Sequence, residues 1–99
     1  MILEVADIRI DPARAPEFEV AIAHGVMTAI APAKGYRSHT VQCSAESPGR
    51  YLLMIEWDTL EDHTVGFRGG PAFAQWRAIV SPFFAGPPVV EHFTLVASS

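Results

Sequence analysis

The stretch RYLLMIEWD, residues 50–58, decides the fold. Its period-two faces carry Tyr51, Leu53, Ile55 and Trp57 on one side and Leu52 and Met54, with Glu56 and Asp58, on the other. A strand with one face in water alternates apolar and polar residues, and this one does not. Working outward, residues 1–10 (MILEVADIRI) read as a second strand. Ile2, Glu4, Ala6, Ile8 and Ile10 share one face, opposite Leu3, Val5, Asp7 and Arg9. Further strands are predicted over 36–45 and 89–97. The last sets Val89, Phe93 and Leu95 against Val90 and Val96.

Helical spacing fills the gaps. Phe18, Ile22, Val26 and Ile30 recur every fourth residue after Pro16 and predict a helix over 16–31. Thr59, with Asp62 three residues on, opens a second helix over 59–68. Gly69-Gly70-Pro71 interrupts it, and Phe73, Trp76 and Val80 continue it over 72–80. The order β-α-β-β-α-β predicts an α+β, ferredoxin-like domain spanning 1–99, an antiparallel sheet with two helices on one face. Two helices cover one sheet face only. The apolar second face is therefore expected to meet another copy of the chain in a homodimer.

Composition narrows the partners. Seven Lys and Arg against eleven Asp and Glu give a net charge of −4, with no basic stripe for nucleic acid or an anionic membrane. The lone Cys43 makes no internal disulfide and is expected as a buried thiol. An acidic residue at position 4 and the lack of a long apolar run argue against a signal peptide or membrane span, so a cytoplasmic location is expected. No phosphate loop, nucleophile elbow or dinucleotide fingerprint is present, and no HxH or HxxxH spacing points to a metal.

Ten aromatic residues in 99 can line a pocket for a flat ring or simply fill the core. Phe67, Phe73 and Trp76 flank the Gly69-Gly70 break, and Trp57 ends the central strand. Three histidines, His39, His63 and His92, are candidates for proton transfer near neutral pH. His63 falls at a helix start, where the dipole disfavours its charged form. Arg77 is a candidate anion stabiliser, the alternative being an ion pair with Glu91 or Glu56.

The run Trp57-Asp58-Thr59-Leu60-Glu61-Asp62-His63, then Gly66-Phe67-Arg68, Pro71-Ala72-Phe73-Ala74-Gln75-Trp76-Arg77 and Val90-Glu91-His92-Phe93, resembles the antibiotic biosynthesis monooxygenase family. The resemblance implies a homodimeric α+β barrel that oxidises a small aromatic or quinol-type molecule with O2, with no organic cofactor and no metal. Such a substrate must itself donate electrons to oxygen. The residues expected to serve are His63, His92 and Arg77 in catalysis, and Trp57, Phe67, Phe73, Trp76 and His39 in substrate binding. Haem-degrading members use an Asn near the end of strand one and a His in the second helix. Here Ala6 and Asp7, and Trp76 and Arg77, occupy those places, which leaves no axial imidazole. A non-catalytic binding or stress-response barrel and a cofactorless isomerase are the alternatives.

Overall fold

The computed structural model describes residues 1–99. Four strands, β1 (Ile2–Arg9), β2 (Tyr36–Cys43), β3 (Arg50–Trp57) and β4 (Val89–Phe93), form one antiparallel sheet in the order β2-β3-β1-β4. Helices α1 (Ala15–Gly25) and α2 (Pro71–Val80) follow β1 and β3, giving the ferredoxin-like arrangement. The register aligns Ala6 with Leu53, Ile8 with Tyr51 and Glu4 with Ile55. One sheet face thus presents an apolar surface, broken on β1 by Glu4, to Phe18, Ile22, Val26 and Ile30 of the first helical segment and Trp76 and Val80 of α2. Gly25 lets the two helices approach closely, because a Cβ there would lie 3.0 Å from the Trp76 ring.

Three boundaries differ from expectation. Strand β4 ends at Phe93 rather than 97, since its only neighbour is β1 and the ladder reaches Leu3 at that point. Strand β2 stops at Cys43, and its edge position leaves the Cys43 thiol exposed rather than buried. Both predicted long helices widen into π turns, over Val26–Ile30 and Asp62–Phe67. In each a backbone N–H reaches five residues back, Ala31 to Val26 and Arg68 to His63. Single π turns of this kind recur at functional sites.

The helix-free face carries Leu3, Val5, Leu52, Met54, Val89 and Phe93. Val89 and Phe93 are 61% and 47% exposed, so nothing within the chain covers this face. Beyond this apolar centre, Arg50 binds Asp7 across the strands at 2.8 Å, and that bond holds the Asp7 carboxyl below its ordinary pKa.

The turn into β2 depends on Gly35, which has φ +86° and would drive any Cβ into the Asp62 carboxylate. Gly35→Ala is expected to lower unfolding stability by about 2 kcal/mol or more, since left-handed backbone alone costs roughly 1–2 kcal/mol. Urea denaturation monitored by tryptophan fluorescence checks this; an unchanged midpoint contradicts it.

Candidate active site

The helices leave part of the β1–β4 side of the sheet uncovered, and a cavity of about 570 Å³ opens there. Its floor is Glu4, Ala6, Ile8, Leu53 and Val90 from the sheet. His63, Phe67 and Arg68 from the π segment, and Phe73, Trp76 and Arg77 from α2, form the far wall. Phe84 and the Gly86-Pro87-Pro88 loop close the rim.

Strand alternation places Glu4 on the apolar side of β1, where it is only 5% exposed. A buried carboxylate needs polar partners. Trp57 supplies one, its indole N–H donating to Glu4 Oε1 at 3.0 Å. The second is His63, whose Nε2 lies 3.3 Å from the same oxygen. On its other side His63 Nδ1 is 2.7 Å from His92 Nε2. Glu4, His63 and His92 therefore stand in one file, hydrogen-bonded at His63–His92 and in 3.3 Å contact at Glu4–His63. It runs from the cavity floor to the half-buried His92 on edge strand β4.

Chain geometry assembles this file from three elements. Glu4 and His92 face one another across the β1–β4 ladder. The Asp62 N–H donates to Thr59 Oγ1 at 3.1 Å and starts the helical segment that lowers His63 between them. Trp57 stacks on the His63 ring at 5.4 Å and 20°, and Phe67 lies against its other neighbours at 6.2 Å from His63 and 5.7 Å from Phe73.

Burial biases all three groups toward their uncharged forms. Burial, then the Arg68 charge and the neighbouring His92, push His63 down to about 4. Burial and Arg68 likewise lower His92. Desolvation raises Glu4, against the hydrogen bond from Trp57 and the pull of Arg68. Glu4 and His63 both shift toward their uncharged forms, as expected of an acid and a base buried together. Burial comes first in holding His63 neutral, ahead of the Arg68 charge. The helix dipole invoked from sequence is not needed, since the segment is one short π turn.

Of the residues singled out from sequence, His63, Phe67, Phe73, Trp76 and Arg77 line the cavity, and His92 joins through His63. Trp57 is fully enclosed beneath it, where it orients Glu4 and His63 rather than offering a ring platform. His39 lies elsewhere, on edge strand β2, with its Nδ1 2.7 Å from the Tyr36 hydroxyl. His39, His63 and His92 form no three-residue group able to hold a metal. The alternative ion pairs of Arg77 with Glu56 or Glu91 do not form, because both carboxylates point to the helix-free face. Sequence reasoning missed Glu4 and Arg68. Glu4 gave one signal, an acidic residue at an otherwise apolar strand position.

The cavity thus brings Glu4 and His63, aromatic walls and two arginines to one place, with His92 behind them. The model of the antibiotic biosynthesis monooxygenase family matches residues 1–79, and the chain belongs to that family. The uncharacterized protein YczJ of Bacillus subtilis is 40% identical over 93 residues, covering 94% of this chain and 97% of that protein. A crystal structure of a candidate antibiotic biosynthesis monooxygenase from Bordetella bronchiseptica is 35% identical, with a TM-score of 0.91 and 97% of each chain covered. The Streptomyces coelicolor monooxygenase from ActVA-Orf6, solved with nanaomycin D, shares the fold with a TM-score of 0.83. It is 23% identical, with 99% of this chain and 89% of that one covered.

Proposed function

We propose that the protein is a cofactor-independent monooxygenase acting on a small aromatic or quinol-type substrate with O2. The observation that carries this is the file Glu4–His63–His92 opening onto an aromatic cavity. Family membership supports the reaction class. The likeness in fold to a monooxygenase solved with nanaomycin D supports a small organic molecule as the occupant of the cavity.

The ring enters between Phe67, Phe73 and Trp76, which exclude water around it. His63 takes the acidic proton at the cavity and passes it along to His92 at the sheet edge. Arg68, whose charge reaches His63 and His92, stabilises the resulting phenolate, and Arg77 lines the same cavity from α2. The electron-rich anion then reduces O2. With an anthrone, one oxygen atom becomes the new ring carbonyl and the other leaves as water together with the two hydrogens removed. Residues 1–99 act as one unit, and two copies pair through Leu3, Val5, Leu52, Met54 and Phe93 to form a cytoplasmic homodimeric barrel.

Oxygen uptake with anthrone, in the presence of a chelator and without added cofactor, tests the proposal. The expected result is consumption of one O2 per anthraquinone formed, well above the rate without protein. Turnover no faster than the spontaneous oxidation refutes the enzyme reading and favours a binding barrel.

A further inference from the structure

We propose that the cavity selects an acidic aromatic: a phenol or quinol that carries a second ionised group, such as a ring carboxylate. This deepens the reading of the cavity as a substrate site and rests on it. The chain has six arginines. Arg9 and Arg50 bind Asp7, Arg14 binds Glu17, and Arg37 binds Asp58. Arg68 and Arg77 bind no carboxylate, and they are the two that line the cavity. Partners are not scarce, since carboxylates outnumber cations eleven to seven.

The cavity's own carboxylate does not serve them. Glu4 is committed to Trp57 and His63, and neither guanidinium comes within ion-pair distance of it. Both cations stand exposed at the cavity's edge, where no carboxylate of the chain meets them. A phenolate that forms during the reaction engages one of them. Arg68 is placed for that role, because its charge reaches Glu4, His63 and His92. Arg77 stands on α2 with its guanidinium carbon 6.0 Å from the centre of the Phe73 ring. Against that ring it presents its planar fork to a group already charged when the substrate arrives. A carboxylate accepts two parallel hydrogen bonds from such a fork, and a neutral ring substituent does not.

Isothermal titration calorimetry with 1-hydroxy-2-naphthoate and 1-naphthol at pH 7 separates the cases, because the two share a ring and a hydroxyl and differ in one carboxylate. The acid is expected to bind about tenfold more tightly or better. Arg77→Gln removes that preference, and naphthol affinity changes by less than about twofold. Raising the salt concentration weakens the acid alone. Equal affinities in the unmodified protein, binding of neither probe, or an equal loss for both in Arg77→Gln overturns the proposal. Anthrone turnover without a preference for the acid leaves the oxygenase reading standing and this one refuted. A clear preference without anthrone turnover does the reverse.

Discussion

His63→Ala is expected to lower kcat for anthrone oxygenation by about 100-fold or more, the ordinary worth of a general base held in place. His63 is the middle member of the file, with Glu4 at 3.3 Å and His92 at 2.7 Å, so its removal cuts the path between cavity and sheet edge. His92→Ala leaves the first acceptor in place and is expected to cost less. Because the fall is in proton transfer rather than ring binding, KM should stay nearly constant in both variants. The pH profile is the sharper reading. Protonation destroys the base, so kcat/KM falls as pH drops through the His63 pKa in the free enzyme. With His63 held near 4 by burial, the acid limb should lie well below the 6.5 of an ordinary histidine. A limb at 6.5, or an unchanged kcat in His63→Ala, removes His63 from the chemistry.

The strands and their faces were readable because burial imposes a period of two, and β1 and β3 follow it from Leu3 to Arg9 and from Arg50 to Trp57. The helices were readable as amphipathic stripes, but the π turns were not. Residues 26–30 and 62–67 carry an apolar spacing that α and π geometries satisfy about equally over so short a run. The site was half legible. His63, Phe67, Phe73, Trp76 and Arg77 lie within fifteen residues of one another, so local spacing brought them together. Glu4 and His92 arrive from opposite ends of the chain through strand pairing, which no local pattern encodes. Trp57 shows the limit of composition, since an aromatic beside a pocket and one beneath it look alike in sequence. His39 shows the limit of residue type: on β2, with two strands between it and β4, it is remote from the histidine pair.

Met54→Lys is expected to convert the protein from a dimer of 10.8 kDa chains to a folded monomer, read by sedimentation equilibrium at tens of micromolar. Met54 lies on the inner strand β3 between Thr40 and Val5, at the centre of the helix-free apolar face. In a single chain the lysine lays its stem along Val5 and keeps its ammonium in water, so far-UV circular dichroism should not change. In a symmetric dimer the same substitution buries two charges at one interface. An uncompensated buried charge costs about 3–5 kcal/mol, so the pair costs more than a micromolar association can absorb. Asp7 is already bound to Arg50 at 2.8 Å, but Glu56 and Glu91 share this face, so Met54→Glu, whose charge neither can offset, is made beside Met54→Lys and is expected to sediment as a monomer too. A variant that remains dimeric places the interface elsewhere on the molecule. An unmodified protein that sediments as a monomer leaves Val89 and Phe93 facing water and removes the physical reason for a strand that is greasy on both sides.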